Sequence, residues 1–409
     1  MKPGYKQTEV GVIPEEWDAG SLGRFWSVTD CKHVTADFIP DGFPVASIKE
    51  VQSRFVELIN CKHTTQHFYN LLIQGGRRPK SGDLIVSRNA TVGEIAQVAE
   101  WHTPFAMGQD VCLLRKNAPE LSTDFMQAVF QSRIVASQFS NLMVGSTFKR
   151  ANIEQIRGLS VPMPPPPEQR AIAEALSDVD GLLAGLDRLI AKKHDLKQAA
   201  MQQLLTGHTR LPGFHGEWEV KRLGDIAEMG SGGTPSSAIA DYYDGDIPWV
   251  SIADMTKCGK IIMTTDRNLT RAGFSSCSAK MFPAGTVLYA MYASLGECSI
   301  AGISVCSSQA ILGIRTRSGL SNEFLYYYLT SLKSVVKSLG QQGTQANLNK
   351  GMVQDFCFSL PPLPEQTAIA EILSDMDAEL TALEQRREKT HALKQAMMQE
   401  LLTGRTRLV

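Results

Sequence analysis

The residues best suited to chemistry in this chain of 409 sit in polar and basic loops. Gly145-Ser-Thr147-Phe-Lys149-Arg150 and Gly343-Thr344-Gln345-Ala-Asn347-Leu-Asn349-Lys350 occupy matching places in two halves of the chain. Ser87-Arg88-Asn89 and Ala290-Met291-Tyr292 form a second matching pair. Arg and Lys can bind guanine or phosphate, and Asn and Gln can pair bidentately with adenine. Arg77-Arg78-Pro79-Lys80 is the densest basic cluster and suits the phosphate backbone better than base edges. Polar loops are more often simply solvated, so each site alone is weak. Their recurrence at matching points makes nucleic acid the candidate ligand.

Catalytic patterns are missing from the sequence. There is no Gly-x-Gly-x-x-Gly, no phosphate-binding Gly-x-x-x-x-Gly-Lys loop and no Asn/Asp-Pro-Pro-aromatic run. Glu219-Val-Lys221 looks like a nuclease fragment, but the first half has Ala19-Gly20-Ser21 there. Cys61-Lys-His63 with His67 has faint metal spacing; with no second ligand cluster we assign no metal. The eight cysteines are scattered without a Cys-x-x-Cys and read as reduced core thiols.

A duplication positions these loops. Residues 168–211 and 365–408 align without a gap at an offset of 197, with 27 of 44 positions identical, which excludes chance. The preceding regions repeat more faintly. Trp17 and Leu22-Gly23 match Trp218 and Leu223-Gly224, and Gln109 matches Gln309. The parts that match closely suggest a shared task, and the parts that diverged suggest different ligands.

The repeated segments read as long helices. Prolines 164–167 and 361, 362 and 364 stop the preceding chain, and Glu168 and Glu365 follow where the helix dipole favours a carboxylate. Thr206-Gly207 and Thr403-Gly404 are C-cap signals. Ile172, Leu176, Val179, Leu183 and Leu186 follow coiled-coil spacing, as do Ile369, Leu373, Met376, Leu380 and Leu383. Such a seam needs a partner helix. Identical length and register favour the other copy, paired antiparallel, over a homo-oligomeric coiled coil. Lys197, Gln198 and Met201 recur as Lys394, Gln395 and Met398 where the seam weakens. This stretch is either a docking site for another subunit or a helix end packed on its own domain.

The predicted organisation is α+β: two pseudo-symmetric α/β domains over 1–164 and 212–363, with spacer helices over 165–211 and 364–409. Leu84-Ile-Val86, Thr286–Tyr289 and Ala310–Ile314 read as strands, and Phe125–Phe130 and Phe324–Leu329 as buried helices. The formal net charge of −1 argues against a bulk electrostatic DNA binder, so DNA binding would need local patches or a partner's charge. A polar start and the lack of a long apolar run predict a cytoplasmic protein with no membrane contact.

Specific motifs carry a resemblance. Gly4-Tyr-Lys-Gln-Thr-Glu-Val-Gly-Val-Ile-Pro-Glu-Glu-Trp17 opens the chain. Pro-Glu168-Gln169 and Pro-Glu365-Gln366 precede the helices, and Leu204-Leu-Thr-Gly207 and Leu401-Leu-Thr-Gly404 follow them. Gly232-Gly-Thr-Pro235 and Ile247-Pro-Trp249 lie in the second half. Over nearly its whole length the chain resembles the specificity subunits of Type I restriction–modification enzymes. The resemblance implies two target-recognition domains, each reading half of a split double-stranded DNA site, and an antiparallel helical ruler between them. It also implies recruitment of two modification subunits that bind S-adenosylmethionine and methylate adenine. Restriction subunits would add translocation using ATP and magnesium, and this chain would be non-catalytic with no cofactor of its own. A Type IIB-like system and an assembly scaffold without base readout are the alternatives. The first half departs from the pattern, with Gly42-Phe-Pro44 in place of the Gly-Gly-Thr-Pro and Ile-Pro-Trp motifs.

Overall fold

A computed structural model describes residues 3–142, 150–341 and 347–408. The candidates Thr147, Lys149, Thr344 and Gln345 lie outside the described residues. The chain forms two compact units, 1–186 with 386–409, and 187–385. The division falls inside the long helices, because each helix half packs on a globular part and not only on another helix.

In the first unit, Trp26–Asp30, Val111–Lys116, Leu84–Ser87 and Ile95–Gln97 pair in that order as an antiparallel sheet. Both faces are covered. Leu84, Val86, Cys112 and Leu114 enter one core with Phe125 and Val129 of the helix Thr123–Phe130. Ile85, Val111 and Leu113 enter another with Ala46, Val51 and Met107. Strands buried on both faces lose polar alternation, so Leu84-Ile-Val86 reads as an unbroken apolar run. The second unit repeats the plan. Its sheet order is Ala227–Ser231, Ile311–Thr316, Val287–Ala290, Cys298–Ala301 and Ile261–Ile262. Asn322–Ser331 is the covering helix.

The Gly-Gly-Thr-Pro run of the second unit is a packing device. A Cβ on Gly232 would fall 2.2 Å from Ser307 O, and one on Gly233 2.3 Å from Ala279 N. Trp249 Nε1 donates to the buried carbonyl of Gly233 at 3.0 Å. No side chain larger than hydrogen fits where the run crosses this surface.

The long helices are Pro166–Leu204 and Leu363–Leu401, of 39 residues each. In the first unit, Ile172 and Leu176 share a core with Met398, Leu401 and Leu402, and Lys394 Nζ lies 2.6 Å from Asp180. In the second, Ile369 and Leu373 share a core with Met201, Leu204 and Leu205. There Lys193 Nζ lies 2.6 Å from Glu379 and Lys197 pairs with Asp377. Rising numbers on one helix meet falling numbers on the other within each unit, so the halves run antiparallel. Of the seam residues, Leu186 and Leu380 are also buried, whereas Val179, Leu183, Met376 and Leu383 are half-buried. The seam ends are plugs for the globular cores. No helix among the described residues is long and apolar enough to cross a membrane.

Each helix start is tied down by the same three-residue latch. Glu168, fully buried, accepts from Trp17 Nε1 at 2.8 Å and from Arg407 Nη2 at 2.8 Å. Glu365, also fully buried, accepts from Trp218 Nε1 at 3.1 Å and from Arg210 Nη2 at 2.7 Å. Gln169 and Gln366 accept from the N–H groups of Ser122 and Ser321 at 2.9 and 2.8 Å. The N- and C-terminal segments therefore meet, with Tyr5 Oη donating to Gly404 O at 3.0 Å.

Both helices end on a left-handed glycine, Gly207 at φ 74° and Gly404 at φ 66°. A Cβ at Gly404 would fall 2.4 Å from Pro14 Cδ, whereas at Gly207 the nearest atom is a Trp218 ring carbon at 3.3 Å. Gly→Ala at either cap should cost about 1 kcal/mol through φ alone. Gly404→Ala should cost clearly more, because Pro14 cannot yield. Equal losses on thermal unfolding would show that the Pro14 contact is not limiting.

Candidate nucleic-acid interface

The separated loops converge at one place in each unit. In the first, Arg88 follows the strand Leu84–Ser87 and reaches over the central strand. Its Nη2 lies 2.8 Å from Asp30 Oδ1, at the end of Trp26–Asp30. Arg88 N donates to Asp110 O at 2.8 Å, and Ala151 N donates to Arg88 O at 2.9 Å. Asn89 bridges Arg150, whose Nη2 lies 3.4 Å from Asp110 Oδ1. Arg77 Nε donates to Asp30 O at 2.9 Å. Arg77, Arg88, Asn89 and Arg150 thus gather around two carboxylates, Asp30 and Asp110.

The second unit has the same backbone and different chemistry. Met291 N donates to Ala310 O at 2.8 Å, and Leu348 N donates to Met291 O at 3.1 Å. By these bonds and the strand register, Met291 stands for Arg88, Ser231 for Asp30, Ala310 for Asp110 and Asn347 for Arg150. The cluster is charged in one unit and uncharged in the other. Both loops hold an alanine in the left-handed region, Ala90 at φ 57° and Ala293 at φ 60°. Asn89 Oδ1 supports the first by accepting from Ala90 N at 2.9 Å. Non-glycine residues in this region cost energy and concentrate where loop shape matters.

Several sequence-based assignments need correction. Arg88 is buried, 3% exposed, with its guanidinium against Asp30 and not on the loop surface. Arg77 is half-buried and spends its guanidinium on the carbonyls of Asp30 and Gln74. Asn349 Oδ1 caps the helix Lys350–Gln354 through Met352 N at 3.0 Å, as Asn152 caps its own helix through Gln155 N at 2.8 Å. Asn349 is thus a cap first. Arg78, Lys80, Arg150, Asn347 and Lys350 are exposed, and Tyr292 is half-buried. On the helices, Met201 and Met398 are core residues, and Lys197 and Lys394 are ion-paired, because this stretch packs on its own domain. Only Gln198 and Gln395 of the suggested docking set are exposed.

Asp30 and Asp110 were missed. Nothing in the sequence marks Asp30 as the neighbour of a residue 58 positions later; only strand order does. Asp30, Cys31 and His33 bring ligand atoms within 4.8 Å of one another. The Arg88 guanidinium already supplies the positive charge there, and burial beside Asp30 raises the Cys31 thiol pKa. Cys61 is a buried thiol donating to Leu58 O at 3.1 Å.

With this geometry in hand, similarity to known proteins can be placed. The family described as Type I restriction modification DNA specificity domain matches the chain twice, over residues 15–192 and 215–392. A provisionally named type I restriction enzyme MjaX specificity subunit from Methanocaldococcus jannaschii is 24% identical, over 99% of this chain and 97% of its own. A chain from a solved structure concerned with complex assembly and conformational transition of the type I R-M system is 21% identical. It superimposes with a TM-score of 0.66, covering 96% of this chain and 99% of that one. The HsdS subunit from Thermoanaerobacter tengcongensis gives a TM-score of 0.52 at 22% identity, covering 96% and 98%. These likenesses extend over both units and both long helices.

Proposed function

The chain belongs to the Type I restriction modification DNA specificity family, and on that premise we propose that it is the non-catalytic, DNA-reading subunit of such a complex. Each unit reads one half of a split, asymmetric double-stranded site. The single observation that carries this reading is the loop cluster repeated on one backbone plan, charged in one unit and uncharged in the other. A scaffold without base readout has no use for that difference. Arg150 and Lys80 suit the first half-site, and Asn347 and Lys350 the second. The long helices set the spacing and recruit two modification subunits, which carry S-adenosylmethionine and methylate adenine. Restriction subunits bring ATP and magnesium. This chain supplies geometry and base discrimination.

Methylation-sensitive sequencing of the host genome tests this directly. The expected result is a split motif with adenine methylated in both halves, lost when the chain is deleted. Persistence of every motif, with modification subunits expressed, would sink the reading. Arg150→Ala should relax the first half-site alone and Asn347→Ala the second alone, each by about 1–3 kcal/mol if the contact is bidentate to a base. Arg78→Ala and Lys80→Ala should weaken binding to all sequences alike and lower the salt slope by about 1 each.

A further inference from the structure

The two units differ where the globular part meets the long helices. In the second, Tyr327 is fully buried at this junction. Its hydroxyl donates to Asp377 Oδ2 at 2.7 Å and accepts from Lys260 Nζ at 3.1 Å. Lys260 also reaches Ser374 Oγ at 3.3 Å, pairs with Glu323, and stands 4.7 Å from the Tyr327 ring centroid. Lys197 pairs with Asp377 from the other helix.

The first unit keeps the polar members of this node. Arg54 stands for Lys260: it donates to Ser177 Oγ at 3.0 Å and to Asp124 Oδ1 at 2.9 Å. Ser177 and Asp180 stand at the repeat offset for Ser374 and Asp377, and Lys394, 2.6 Å from Asp180, for Lys197. The equivalent bonds from Ser122 N to Gln169 and from Ser321 N to Gln366 fix the register of the two covering helices. On that register Ala128 stands where Tyr327 does. The ring is missing and its surroundings are present. What remains is an open cavity of about 470 Å³, lined by Arg54, Ala128, Leu176, Ser177, Asp180 and Lys394 among others. That volume lies within the span small-ligand sites occupy, roughly 300–1,000 Å³.

We propose that this cavity is a binding site for a phenolic ring, seated where Tyr327 sits in the second unit, with its hydroxyl between Arg54 and Asp180. The ring lies against Ala128 and Leu176. A cation beside the ring is favourable, and a hydroxyl able both to donate to a carboxylate and to accept from a guanidinium suits the two charged groups. The phenol is either a free small molecule or a tyrosine side chain of a partner protein.

The full-length chain is titrated with p-cresol, followed by NMR and calorimetry, with toluene as the ring without the hydroxyl. The wild type should bind one p-cresol per chain and toluene at least ~5-fold more weakly, as expected for one hydrogen bond of about 1 kcal/mol. Ala128→Tyr fills the site from within and should bind none, while melting no lower than wild type. Tyr327→Ala opens the matching cavity, so stoichiometry should rise to two and p-cresol should restore lost thermal stability. The proposal fails if p-cresol binds Ala128→Tyr as well as wild type, if toluene matches p-cresol, or if the wild type binds none. Ala128→Tyr holds the test open even if Tyr327→Ala does not fold. A p-cresol Kd in the micromolar range assigns the site to a free phenol. A Kd of about 1 mM or weaker, with modification-subunit assembly impaired in Ala128→Tyr, assigns it to a partner's tyrosine. A millimolar Kd with assembly unimpaired overturns the proposal.

Discussion

Arg407→Ala should destabilise the first unit by about 3–5 kcal/mol, the cost of leaving one member of a buried ion pair uncompensated. Glu168 is fully buried, and its carboxylate is held by Arg407 and Trp17. Among the described residues, removing Arg407 leaves that charge with the indole N–H of Trp17. For a unit of this size the midpoint should fall by roughly 10 °C, and calorimetry should show the first unit melting ahead of the second. Glu168→Ala should cost less. The Arg407 side chain is 28% exposed and can turn toward water, although Trp17 Nε1 is then stranded. Arg210→Ala should transfer the effect to the second unit through Glu365. A midpoint for Arg407→Ala within about 1 °C of wild type would show that the latch does not hold the helix start.

The second large effect is a coupling. Asp30→Ser leaves the Arg88 cation, 4% exposed at its side chain, without its carboxylate, and should cost about 3–5 kcal/mol. Arg88→Met leaves Asp30, which is more exposed at 28% and keeps His33 Nε2 at 3.1 Å, so it should cost less. The double variant reproduces the Ser231 and Met291 arrangement on the same backbone and should be near neutral, since replacing a buried pair by apolar packing often is. Chemical unfolding of the four proteins closes the double-mutant cycle. Additive losses would mean that the two residues act independently and that the ion pair does not shape the loop cluster. In the intact complex the double variant should also change the first half-site, because Arg88 precedes Asn89 and its carbonyl accepts from Ala151 N, next to Arg150.

The parts of the fold legible from sequence rest on local rules. The strand at Leu84–Val86 and the helices at Phe125–Phe130 and Phe324–Leu329 stand out because an element buried on both sides keeps a mostly apolar run. The glycines at 207 and 404 stand out because a helix end needs a left-handed residue. The loop pairs at 88–89 and 149–150, and at 291–292 and 347–349, were found as matching positions, and hydrogen bonds bring the described members of each pair together. What the sequence hid were roles decided by neighbours distant along the chain. Arg88 looks like any loop arginine until strand order sets Asp30 beside it. Met201 and Met398 look like an adaptable outer surface until the globular cores close over them. Asn349 looks like an adenine reader until the short helix after it needs a cap. Sequence spacing carries no record of which strand lies next to which.

The latch has a consequence for inheritance. Its residues are spelled alike in the two copies, and each glutamate at the start of one long helix takes its arginine from beyond the end of the other. A genetic crossover anywhere in the shared 44-residue stretch therefore yields a protein whose new ends still match. The latch contacts survive when a globular part is exchanged. Lineages carrying this architecture can acquire new pairings of DNA half-sites in one recombination event, with the frame already fitted to receive them.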